Sequence, residues 1–158
     1  MGLFKKKDKY LKAFTSGKII PITEVPDEVF AQKMMGDGIA IYPDNNIIVA
    51  PCDGKITAIM ENTEHAVGIT LANGVELLIH IGINTVELNG NYFTQNVEAG
   101  THVEKGTCIV SFDIDKIKAE GYDPTVMVIV SNTPEYASVE GLKISNANAD
   151  TSVIGISI

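Results

Sequence analysis

Residues 65–82 read HAVGITLANGVELLIHIG, two apolar strand-like runs on either side of Asn73-Gly74. Asn-Gly between such runs is the strongest short-range hairpin signal, because both residues tolerate the positive φ that a tight turn needs. With Asn73 and Gly74 as a two-residue loop, Ala72 faces Val75, His80 faces Val67 and His65 faces Gly82. His65 and His80 then share one face as diagonal neighbours, about 7 to 8 Å apart between backbones, a gap that two imidazole rings can close. The expectation hangs on the turn type, since a register shift of one residue sends one ring to the other face.

Short Ile- and Val-rich runs separated by turn signals extend in both directions from this hairpin, with turns at Pro43-Asp44-Asn45-Asn46, Asp53-Gly54, Asn89-Gly90 and Lys105-Gly106. Strands are predicted at 18–23, 38–42, 47–50, 55–60, 65–71, 75–81, 107–112, 126–131 and 152–158. Short helices are predicted at 26–33, where Pro26 and Asp27 suit a helix start, and at 113–120, where Asp113 is placed to cap. The fold class is all-β, an antiparallel β-sandwich or distorted barrel with short helical turns. IVAPCDGKITAI at 48–59 and VEKGTCIVSFD at 103–113 both run apolar, turn, glycine, apolar, the trace of a duplicated half-barrel.

The chain of 158 residues is 45% hydrophobic, enough for one sizeable core and too little for two ordinary domains. Residues 17–158 form that domain, preceded by a basic segment, 1–16. In the opening MGLFKKKDKYLKAF, Leu3, Phe4, Leu11 and Phe14 can share one helical face, so residues 1–14 suit peripheral contact with an anionic membrane surface; a solvated basic tail is the alternative.

A formal net charge of -8 argues against a nucleic-acid partner, whose backbone demands clustered cations. All 12 basic residues are lysine, so any arginine needed to clamp an anion must come from a partner. Cys52 and Cys108 lack ligand spacing, which fits a reducing cytosol. With neither a spanning run of roughly 20 apolar residues nor a secretory signal, the expectation is a cytoplasmic protein.

A neutral imidazole is a nucleophile near neutral pH, and a neighbouring ring N–H can donate to phosphoryl oxygens, so a histidine pair in apolar surroundings suits phosphoryl chemistry. Leu78, Ile79, Ile81 and Ile83 would limit the water that hydrolyses a P–N bond. Three other readings stand beside this one. Each histidine can be an ordinary strand residue with a satisfied hydrogen bond. His65, His80 and His102 match the number of ligands in some zinc hydrolases, but there is no H-E-x-x-H and His102 sits in a polar THVEKG turn. VEAGTHVEKGTCIVSFD resembles the strand pattern of biotinyl or lipoyl carriers without their modifiable lysine setting. Glycine-rich nucleotide cradles are missing from the sequence.

GVELLIHIGINTVELNGNYF at 74–93 closely resembles the signature of the glucose-family IIA components of bacterial sugar phosphotransferase systems. The resemblance continues through VPDEVFAQKMMGDGIAI, IVAPCDGKI, EHAVGI, VEAGTHVEKGTCIVSFD and VIVSN, over roughly residues 17–158. It implies an antiparallel β-sandwich that acts as a phosphotransferase component. The carrier would accept a phosphoryl group on His80 from the phosphocarrier HPr, with phosphoenolpyruvate as ultimate donor. It would pass the group to a cysteine on the IIB domain of a glucose-type permease. By the same resemblance His65 stabilises the phosphoryl group and Thr63 orients His65.

The resemblance also maps a docking patch onto Asp27, Phe30, Met34, Met35 and Val86, with Asn84 where the family has an aspartate, a lost charge that bears on docking to a cationic partner. It requires no cofactor, leaves room for zinc shared with a partner through His65 and His80, and leaves room for regulated enzymes or transporters as further partners. A purely regulatory interaction domain is the remaining alternative.

Overall fold

The computed structural model describes residues 9–148 and 150–157. The chain is dominated by strands: β1 Lys9–Lys12, β2 Gly17–Pro21, β3 Asp37–Pro43, β4 Ile47–Val49, β5 Gly54–Ile59, β6 Ala66–Leu71, β7 Glu76–Ile83, β8 Phe93–Gln95, β9 His102–Val103, β10 Cys108–Phe112, β11 Asp123–Val130, β12 Ser138–Gly141, β13 Asn146–Ala147 and β14 Ser152–Ser157. Their pairings are antiparallel throughout, in an eight-stranded sheet of order β13-β2-β3-β11-β7-β6-β5-β9 and two three-stranded sheets, β1-β14-β12 and β4-β10-β8. The all-β reading therefore holds.

One apolar core joins the three sheets: Ile79 and Ile81 of β7 and Val126 and Val128 of β11 pack in the same cluster as Ile154 and Ile156 of β14 and Ile109 and Phe112 of β10. Strand alternation puts the other faces of the two central strands outward. There, Met127 and Ile129 join a second cluster with Ile22, Val25, Phe30, Ala40 and Ile83. The segment that supplies Ile22, Val25 and Phe30 contains a 3-10 turn at Ile22–Glu24 and a short helix, α1, at Glu28–Ala31. Asp27 caps α1 by accepting from the Val29 N–H at 3.0 Å, and Asp113 caps a second helix, α2, at Ile114–Ala119 through the Lys116 N–H. Both caps fall where the sequence placed them.

The hairpin turn differs from expectation. Leu71 N–H donates to the Val75 carbonyl and Gly74 N–H to the Leu71 carbonyl, so the loop holds Ala72, Asn73 and Gly74, with Gly74 at φ +92°. A third loop residue in the left-handed region is the usual companion of a bulged hairpin. The extra residue shifts the register by one: Ala66, not Val67, lies opposite His80, and Val67 lies opposite Ile79.

The helical face read over the opening residues does not form in its described part. Lys9–Lys12 is a strand paired to β14, and Leu11, Ala13 and Phe14 are buried in the main core. Residues 9–14 thus pack with the body of the protein; the rest of the membrane-contact reading lies at residues 1–8, outside the described residues. Sequence inspection also passed over β8, β9, β12 and β13, which are at most four residues long. The two echoing segments pair with each other, β4 with β10 and β5 with β9, so each contributes to both the large sheet and the β4-β10-β8 sheet.

Candidate functional site

His80 lies in the middle of β7, between Ala66 of β6 and Met127 of β11. Leu77, Ile79 and Ile81 alternate into the main core, which leaves His80 on the opposite face, under the second cluster. Phe30 of α1 covers it there, with ring centroids 5.0 Å apart and planes at 57°. Two residues after His80 the backbone leaves the regular strand: Gly82 has φ +84° and Asn84 φ +60°. A Cβ on Gly82 would collide with the Thr85 side chain, whose hydroxyl donates to the Ile81 carbonyl. Glycine is required at that corner both by its backbone angle and by the lack of room.

His65 immediately precedes β6, and the carbonyl of His65 accepts from the Ile81 N–H at 2.8 Å. The one-residue register shift would separate two histidines inside regular strands. His65, however, stands at the strand end after Glu64, at φ +53°, and near the Gly82 corner. Its ring meets that of His80 edge-on, with centroids 4.7 Å apart and planes at 87°. The sequence was right about the pair and wrong about the geometry that makes it.

Burial sets the charge state of both rings. Desolvation and, after it, the proximity of His65 push the His80 pKa from 6.5 down to about 4, against the opposing effects of a backbone hydrogen bond with Gly82 and the carboxylate of Asp27. The His65 pKa is also lowered by burial. Near pH 7 both imidazoles are neutral. Nδ1 of each ring is enclosed without a hydrogen-bond partner of normal geometry. The Thr63 hydroxyl is likewise buried without a partner, so no direct hydrogen bond joins Thr63 to His65.

The expected docking residues divide. Phe30 is 4% exposed and acts as a cover for His80, so it does not belong to an open contact surface. Phe30 is drawn inward because the outer face of β11 and β7 carries an apolar cluster of its own, which a reading of α1 in isolation does not reveal. Asn84 and Val86 follow the end of β7, and both are exposed, Val86 at 47%. Met34, 70% exposed, and Met35 line a separate groove with Lys33, Ser131, Thr133 and Pro134, beyond the other end of β11. Val29, exposed on α1 beside the Asp27 cap, was not singled out from the sequence. His102 is exposed on β9, far along the sheet from the histidine pair.

The family model for the phosphoenolpyruvate-dependent sugar phosphotransferase system, EIIA 1, matches residues 9–136. The glucose-specific EIIA component of Oceanobacillus iheyensis is 40% identical over 153 residues, which cover 94% of this chain and 92% of that one. The glucose-specific EIICBA component of Staphylococcus saprophyticus is 46% identical over 129 residues, but the match spans only 19% of that longer protein. The solved structure of glucose permease IIA from Mycoplasma capricolum superposes with a TM-score of 0.82 at 34% identity, covering 97% of each chain.

Sandwich, histidine pair and these likenesses define a component of a sugar phosphotransferase system. The chain belongs to the EIIA 1 family of that system and serves as a phosphocarrier in sugar uptake. Neither zinc hydrolysis nor a swinging-arm carrier is favoured. Among relatives, the domain occurs fused to EIIB and EIIC parts in a single chain.

Proposed function

We propose that His80 is the phosphoryl acceptor, that phosphorylated HPr is the donor, and that a cysteine of a glucose-type IIB domain is the recipient. The observation that supports this reading is the edge-on contact of two neutral imidazoles, His65 buried and His80 half-buried, 4.7 Å between centroids. The lone pair on His80 Nε2 forms an N–P bond as the P–N bond to the donor imidazole breaks. A thiolate of the recipient then forms the S–P bond as the His80 N–P bond breaks, and His80 returns to its neutral state. An N–H of His65 stabilises phosphoryl oxygens during both passages. Phe30 and the apolar cluster around it keep water from the labile bond. Lysine is the chain's sole cationic side chain at neutral pH, and among the described residues no lysine is ion-paired or hydrogen-bonded at the pair, so the partner supplies charge to the transition state.

No cofactor takes part in this scheme. His65 and His80 offer two nitrogens, half of a tetrahedral zinc set, so a zinc ion there would depend on ligands from a partner. The relay works in the cytoplasm, at the inner face of the membrane that holds the permease.

The test is to incubate the chain with phosphoenolpyruvate, enzyme I and HPr and to compare intact masses of wild type, His80→Gln and His65→Gln. Wild type and His65→Gln should each gain one acid-labile phosphoryl group while His80→Gln gains none. A phosphoryl group retained in His80→Gln would overturn the assignment.

A further inference from the structure

The loop that presents His65 joins β5 to β6 without a glycine, yet two of its residues, Asn62 at φ +69° and Glu64 at φ +53°, occupy the left-handed region. Each such residue costs about 1 kcal/mol, so the conformation persists only if its surroundings hold it. Within the loop, Glu64 N–H donates to the Met60 carbonyl at 2.8 Å and Met60 N–H to the Ala66 carbonyl at 3.0 Å. Besides the bond from the Ile81 N–H to the His65 carbonyl, two contacts come from outside. Gly90 presses so closely on the Asn62 carbonyl that a Cβ there would collide with it. Gln95, at the end of β8 in the other sheet, donates its Nε2–H to the Glu64 carbonyl at 2.9 Å.

The oxygen of the same Gln95 amide is buried with no hydrogen-bond partner. An unsatisfied buried carbonyl destabilises by roughly 1 to 3 kcal/mol, and an apolar side chain of similar length would avoid that. Nor does His65 have a polar contact on Nδ1 to set its ring. Its orientation follows from the Glu64–His65 backbone and from the edge-on packing of the ring against His80.

We propose that Gln95 is a positioning residue for phosphoryl transfer: by holding the Glu64 carbonyl it fixes the backbone that aims His65 at His80. The proposal rests on the roles given above to His80 and His65. Gln95 acts on His65 through one peptide unit, that between Glu64 and His65.

The test uses Gln95→Met, which keeps length and removes the donor, and Gln95→Glu, which keeps shape and puts a carboxylate against the carbonyl. Both should still take up one phosphoryl group per chain from HPr, while transfer to the IIB domain slows about tenfold with KM unchanged, the mark of a group displaced by a fraction of an ångström. In NMR titrations of the unphosphorylated variants the His65 midpoint should rise toward 6.5 as the ring gains solvent, and the thermal midpoint of Gln95→Met should not fall. Wild-type transfer and an unmoved His65 titration in both variants would overturn the proposal. The titration needs no phosphoryl donor, so it decides the role of Gln95 even if His80 proves not to be the acceptor.

Discussion

The His65 ring meets the His80 ring at 87° and 4.7 Å, although the His65 carbonyl is bonded to Ile81, whose side chain goes to the main core. Contact across that mismatch depends on His65 standing outside the regular strand. Two neutral rings are thereby held against each other.

The first expectation concerns pH. His80 titrates near 4 in the folded protein against 6.5 when exposed. Between these values the unfolded chain holds a proton that the folded chain lacks. Stability is therefore full above pH 6.5 and declines as pH falls toward 4, by roughly 3 kcal/mol from this group. His65, shifted the same way, adds to the decline. Urea unfolding between pH 4 and 7 should show the slope, and His80→Gln should flatten it; an equal slope in that variant would contradict the burial argument.

Phe30→Ala removes the cover of His80. Truncating a buried phenylalanine costs about 3 kcal/mol or more, lowering the denaturation midpoint. Its more specific signature is chemical: the His80 midpoint should climb from about 4 toward 6.5, and the phosphorylated form should hydrolyse several-fold faster as water reaches the P–N bond. Phe30→Leu, which keeps most of the apolar bulk, should retain a slow hydrolysis rate. Measuring the lifetime of the phosphorylated proteins separates shielding from mere stability.

Gly82→Ala forces a side chain into the left-handed region and against Thr85 at the corner that follows His80. A loss of about 2 kcal/mol or more is expected by calorimetry, with slower phosphorylation because the corner carries the backbone beside His80. Gly74→Ala is the control, since that position has a similar φ but open space around it; it should lose less stability and leave phosphorylation intact.

Asn84 and Val86 form the exposed edge after β7, so substitutions there should act on encounter with partners and leave the fold intact. With HPr as the proposed donor, Asn84→Asp adds an anion to this edge and should raise the rate of phosphorylation a few-fold at low salt, with the gain disappearing at high salt. Val86→Lys should slow it at all salt concentrations. Stopped-flow phosphorylation across a salt series checks both; a salt-independent effect of Asn84→Asp would remove this edge from the docking surface.

The sequence by itself determined the fold class, the caps at Asp27 and Asp113 and the identity of the two histidines, because these depend on local signals: turn residues, apolar alternation and cap chemistry within a few positions. It also carried the family signature around His80. Tertiary structure decided what those signals could not reach. The hairpin register turned on whether Gly74 closes a two- or three-residue loop, two options of similar local cost that the pairing of β7 with both β6 and β11 separates. The fate of Phe30 depended on an apolar patch assembled from β3, β7 and β11, residues far apart in the chain. Leu11, Ala13 and Phe14 joined the core because β1 found its partner in β14 at the opposite end of the chain. The orientation of His65 came from a strained loop held by Gln95 of another sheet, and contacts between sheets leave no mark on the periodicity of either segment.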